Sequence, residues 1–156
     1  MTDTFAELVL GDELVTAFIS RQEIMCLAEE AFSVFTDERL DELGLNPESF
    51  TEAYQQPGLF VFGSWFDISD REAFDLENLS LGCVDWRNFV VNVLVAEGEP
   101  VDRARCIASQ ISVEGLRDVV RDAMVIDTGE GFGEAQDEVA SALVACYLNE
   151  PSTSVS

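Results

Sequence analysis

The chain contains no lysine and no histidine, and its eight basic residues, all arginine, face thirty-one acids for a formal net charge of −23. Affinity for nucleic acid rests on clusters of Lys and Arg against phosphate, so direct nucleic-acid binding is excluded as an expectation. Attraction to an anionic membrane surface fails for the same reason. Without histidine the commonest general base is missing, and the partner that most often activates a nucleophile is missing with it. Long apolar runs are absent too. The longest, Phe89 to Ala96, is interrupted by Asn92 and is far too short to span a bilayer. No basic segment followed by an apolar one opens the chain, which begins Met1-Thr2-Asp3-Thr4. The expected location is therefore extracellular or cell-envelope if a signal peptide has been removed, and cytoplasmic otherwise.

What is present points to a folded helical protein. Of 156 residues, 47% are apolar, including eleven Phe and two Trp, enough to build a core despite the charge. Ser20-Arg21-Gln22-Glu23 and Ser69-Asp70-Arg71-Glu72 are capping boxes, and each opens a helix. Thr36 caps a short helix ending near Gly44, and Asn46-Pro47 starts another that runs to about Tyr54. Phe5 to Phe18 reads as one helix weakened by Gly11. Trp86, Phe89, Val90, Val93 and Leu94 keep helical spacing although their segment is rich in β-branched residues. Further helices are expected from Val101 to Ile111, from Ser112 to about Val125, and from about Glu134 to Leu148.

One segment occurs twice. Met25-Cys26-Leu27-Ala28, followed by Ser33 to Leu43, recurs as Arg105-Cys106-Ile107-Ala108 followed by Ser109 to Val119, with a gap of about one helical turn. Each half then reads as a helix, a Cys helix, a short capped helix, a connection and a helix ending in cysteine. The expected architecture is all-α: two fused helical repeats of short helices with one disulfide per repeat. Repeat unit 1 covers 1–82, repeat unit 2 covers 83–150, and 151–156 form a polar tail; the two units can pack as a single domain.

Helical phase sharpens the reading of the four cysteines. The apolar stripe of the first Cys helix centres near Ala28 and Ala31, and Cys26 projects from roughly the opposite side. Cys106 lies about half a turn from the stripe of Val101, Ala104, Ile107, Ala108 and Ile111. Something must cover the back of each helix, and the helices ending in Cys83 and Cys146 are the candidates. The preferred bonds are Cys26–Cys83 and Cys106–Cys146, although Cys26–Cys146 with Cys83–Cys106 also respects the symmetry. Isolated cysteines without histidine argue against zinc, and the lack of a Cys-x-x-Cys pair argues against a redox site. Four free buried thiols are the remaining alternative.

Arg105-Cys106-Ile107-Ala108, preceded by Ala96-Glu97-Gly98-Glu99-Pro100 and followed by a Leu-rich helix and Ala142-Leu143-Val144-Ala145-Cys146, resembles uncharacterised exported helical Cys-repeat proteins of Actinobacteria. The resemblance covers nearly the whole chain. It implies an exported α-helical domain with one Cys pair per unit and carries no activity and no catalytic residues.

No cofactor, metal or catalytic residue is expected. Asp127 to Glu138 has acids at the first and twelfth positions of a calcium loop, but Gly129, Gly131 and Phe132 stand where ligands and the turn glycine belong. Asn78-Leu79-Ser80 matches a glycosylation triplet within a helix. Carboxylate pairs such as Asp67 with Asp70 or Glu29 with Glu30 carry no mark of burial. The densest aromatic stretch, Leu59 to Phe66, is the one segment with strand character. Its rings Phe60, Phe62, Trp65 and Phe66 either fill the junction between the repeats or bind a protein partner, a second copy included. The expected function is a non-enzymatic interaction or structural module. An acidic intracellular inhibitor mimicking nucleic acid is the first alternative and a carboxylate-based hydrolase the second.

Overall fold

The computed structural model describes residues 1–55, 62–121 and 136–148, and among these every regular element is helical. The segment expected as one helix from Phe5 to Phe18 is two, α1 (Thr2–Leu10) and α2 (Glu13–Thr16). Gly11 ends α1, consistent with the high backbone entropy that glycine gives up inside a helix. Asp12 starts α2, its carboxylate accepting from the Val15 amide at 3.4 Å.

α3 (Arg21–Glu30) opens at the Ser20–Glu23 capping box. It tightens into a 3₁₀ turn at Ala31–Val34, which overlaps the interval that holds the length difference between the two similar segments. α4 (Asp37–Glu42) is capped by Thr36, and α5 (Pro47–Tyr54) by Asn46 with Pro47 in the first turn. Between them Gly44 takes φ 64°, and the amides of Gly44 and Leu45 return to the carbonyls of Asp41 and Leu40 at 3.0 and 2.9 Å. That left-handed closure is the reason glycine stands there.

The strand character of Leu59 to Phe66 is not realised where the structure describes it: Phe62–Trp65 form a single helical turn, α6. Residues 59–61 lie outside the described residues. α7 (Asp70–Cys83) opens at the Ser69–Glu72 box, and α8 (Trp86–Ala96) is capped by Asp85. α9 (Val101–Gln110) follows Gly98, and α10 (Val113–Val120) is capped by Ser112. α11 (Gln136–Leu148) is the last described element. Positions 127–135 of the calcium-like segment lie outside the described residues, as does the polar tail 151–156.

α3 packs against α1 and α7, while α9 packs against α8 and α11. In each half the Cys helix is thus flanked by an earlier helix, α1 or α8, and by the helix that carries the second cysteine, α7 or α11. α7 reaches across the sequence halves, touching α3, the 3₁₀ turn and α10. The buried apolar residues form one cluster, from Phe5, Ile24 and Phe50 through Val90 to Ile107, Val120 and Val139. Described residues from both halves of the sequence contribute to that cluster.

Candidate functional site

The four cysteines form two disulfides, Cys26–Cys83 and Cys106–Cys146, with Cα separations of 5.5 and 6.0 Å. No thiol is left free. The first bond joins α3 to α7 and the second joins α9 to α11, so each covering helix is bonded to the face of the Cys helix turned away from its apolar stripe. The symmetric alternative, Cys26–Cys146 with Cys83–Cys106, is not the one formed.

The aromatic segment divides. Phe62 and Phe66 are 3% and 7% exposed, so neither presents its ring to a partner. Phe62 lies 6.3 Å from Phe32 and 6.1 Å from Phe50 between ring centroids, and Phe66 lies 6.3 Å from Phe62. Phe5 joins the same group at 5.9 Å from Phe32 and 5.6 Å from Phe50. These contacts join rings from the first half of the sequence. Phe62 and Phe66 stand four apart, so one helical turn puts both on the face that meets the core. Trp65, at the end of that turn, is 46% exposed. Of the four rings considered for a partner, Trp65 alone is open among the described residues, and Phe60 lies outside them.

The acids do more than solvate the surface. Glu23 closes the capping box of α3 and also accepts from the Asp85 amide at 2.7 Å, tying the start of α3 to the start of α8. Burial pushes its carboxyl up, but bonds from the Ser20 hydroxyl, the Asp85 amide and the Ser20 amide hold it below the ordinary value. Glu72 closes the box of α7 while Arg39 of α4 donates to both its oxygens, at 2.7 and 3.1 Å. The Arg39 guanidinium pulls the Glu72 carboxyl down to about 2, and Glu72 in turn raises Arg39. Arg39 also donates to the Asp67 carbonyl at 2.7 Å. Tyr54 donates to Asp12 at 3.0 Å, and burial together with that acceptor raises its hydroxyl.

Two further joints are not anticipated in the sequence reading. Glu77 is 1% exposed on α7, and Arg121 donates to both its oxygens, at 2.7 and 3.2 Å. Arg117 lies 3.9 Å from the same carboxylate, donates to Asn78 at 2.8 Å, and stacks over Phe74. The signal was in the phase: Glu77 falls on the same face as Ala73 and Ser80, so an acid there needs a cation. The second joint is Glu138 of α11, which accepts from the Ser112 amide at 3.0 Å. At α9, Arg103 donates to Glu99 at 3.0 Å and lies under the Tyr147 ring, whose hydroxyl donates to the same Glu99. Arg87 of α8 donates to the Ala108 carbonyl in the last turn of α9.

The remaining candidates lie on the surface or within a helix. Glu29, Glu30, Asp67 and Asp70 are all exposed, and Ser80 of the Asn78 triplet is buried within α7. Among the described residues no group of Cys, Asp and Glu is gathered to hold a metal ion. A cavity of about 10 Å³ among Phe5, Leu27, Ala31, Phe62, Leu76 and Leu79 has room for one water at most. No single described helix is long and apolar enough to cross a membrane. Comparison with known protein families, curated proteins and solved structures gives no match to this chain.

Proposed function

We propose that this chain is a non-enzymatic interaction or structural module that works outside the reducing cytoplasm, in the extracellular or cell-envelope space. On this reading the two similar segments are repeats of one helical unit, as in the exported Actinobacterial Cys-repeat proteins that the sequence resembles. The observation that carries the proposal is the closure of all four cysteines into two bonds across helix pairs. Such bonds persist in oxidising compartments and are rare where thioredoxin and glutathione act. Trp65, half-exposed on a turn anchored by Phe62 and Phe66, is the contact offered to a partner.

Thiol labelling in the native host tests the proposal. Cells are fractionated and the tagged chain is alkylated without reductant, then again after reduction. The expected result is a chain in the envelope or medium with no reactive thiol before reduction and four after it. Four reactive thiols on a cytosolic chain overturn the proposal.

A second reading has one observation in its favour. Arg39, Arg103, Arg117 and Arg121 are taken up in ion pairs at helix joints, which leaves the outer surface dominated by acids. An acidic inhibitor that occupies a nucleic-acid-binding protein would present such a surface. Cytosolic free thiols together with salt-dependent binding to a basic protein favour it.

A further inference from the structure

The two disulfides do unequal work. α7 is held by much more than Cys26–Cys83: it buries Ala73, Leu76, Glu77 and Ser80, and it is tied to α4 through Glu72–Arg39 and to α10 through Glu77–Arg121. α11 has far less. It lies chiefly against α9 and buries only Val139, Ala142 and Cys146 among its thirteen residues. Val144 and Leu148 are 61% and 80% exposed. Among the described residues its polar ties are the Glu138 bond to the Ser112 amide and the Tyr147 contact with Arg103 and Glu99. A helix of this length is marginal alone in water, and one Val, one Ala and one Cys give little apolar burial against the entropy of ordering it.

We propose that the Cys106–Cys146 bond is a latch, and that its reduction by a dithiol releases α11 from α9 while the other described helices stay folded. The attacking thiolate of the dithiol displaces one sulfur, with Cys106 the more open of the pair and Cys146 at 4% exposure. The S–S bond breaks, Cys146 leaves as thiolate and takes a proton, and a mixed disulfide forms on Cys106. The second thiol of the reductant then resolves it. Cys106 departs as a thiol and the reductant as a disulfide, so two electrons and two protons enter the protein. Release withdraws Glu138 from the Ser112 amide and uncovers the back of α9 around Cys106 and the face of α11 that carries Val139, Ala142 and Cys146. The closed module thereby becomes one that presents an unpartnered helix.

Hydrogen exchange on the full chain tests the latch. Cys106→Ser/Cys146→Ser is compared with Cys26→Ser/Cys83→Ser, and with the native chain in dithiothreitol with alkylation reporting which bonds are open. In the first variant the amides of 136–148 are expected to exchange roughly 100- to 1,000-fold faster, the scale set by loss of a bond closing a loop of this size. Amides of α3, α7 and α8 keep their protection. In the second variant α11 shows no such selective rise. Retained protection in α11, or a uniform rise over all helices, overturns the proposal. So does a Cys106→Ser/Cys146→Ser chain that loses its helical circular dichroism, because a latch leaves the rest standing.

Discussion

A Cβ on Gly115 would lie 1.9 Å from Glu138 Oε2 and 2.9 Å from Ile111 Cγ2. In the boxes of α3 and α7 the third helical residue is a glutamate that folds back on its own cap, Glu23 to Ser20 and Glu72 to Ser69. In α10 the third residue is glycine, and the carboxylate reaches the cap amide from α11 instead. The missing side chain makes room for a cap supplied by another helix. Gly115→Ala gains up to about 1 kcal/mol in helix propensity. It also forces Glu138 off the Ser112 amide, a loss of about 1 kcal/mol, and crowds the buried Ile111 at a cost of about 1–3 kcal/mol. Even with the full propensity gain, the expected net loss in urea unfolding is about 1–3 kcal/mol. Glu138→Ala removes the cap and also the nearest clash, so in that background Gly115→Ala should cost less than it does alone. Losses that add within about 0.3–0.5 kcal/mol would sink this coupling.

No described helix exceeds the fourteen residues of α7, so most of their stability depends on ends and packing. The ends were legible because their chemistry is local: Ser20 with Glu23, Ser69 with Glu72, Asn46 before Pro47, and glycine at 44 all act within a few residues. Gly11 was legible as a weak point and not as a full break, and the single turn of α6 was not legible, since an apolar run carries no local mark of where the core lies. Nor was the Arg39–Glu72 pair, whose members stand 33 positions apart. That pair gives α7 a pH response. Arg39 first, and the Ser69 bonds after it, hold Glu72 at about 2 against an ordinary 4.5. A carboxyl depressed on folding stabilises the fold above its unfolded value and loses that contribution as protons bind. The contribution is therefore complete above pH 4.5 and disappears as pH falls through about 2. Arg39→Gln should flatten the fall of the melting temperature across that window, leaving the part that the Ser69 bonds supply. Equal slopes in the two proteins would show that the pair does not report on folding.

At the scale of the whole molecule the cysteine geometry was readable, since period alone places Cys26 and Cys106 off their stripes. Ring density alone left burial and partner contact both open for the aromatic segment; phase divides them, since Phe62 and Phe66 share a helical face and turn inward while Trp65 stays exposed. Charge was legible as a total and not as a pattern. Arg39, Arg117 and Arg121 lie between elements, each on a carboxylate that packing has already partly enclosed. The pairs of Arg71 with Asp75 and Arg105 with Asp102, at 3.9 Å and largely exposed, add little. Attraction is thus confined to a few joints, while a net −23 repels itself throughout the folded volume. Salt screens both, with a Debye length falling from roughly 30 Å at 0.01 M to about 8 Å at physiological strength. The joints act over a hydrogen-bond length and partly out of water, so they lose least; the surface repulsion acts over longer distances and is screened first. Sodium chloride, which lacks the strong exclusion effect of sulfate, should therefore raise the melting temperature between those two strengths. A fall over the same range would mean that ion-pair attraction outweighs repulsion, and that the acids are matched far more closely than eight arginines against thirty-one carboxylates suggest.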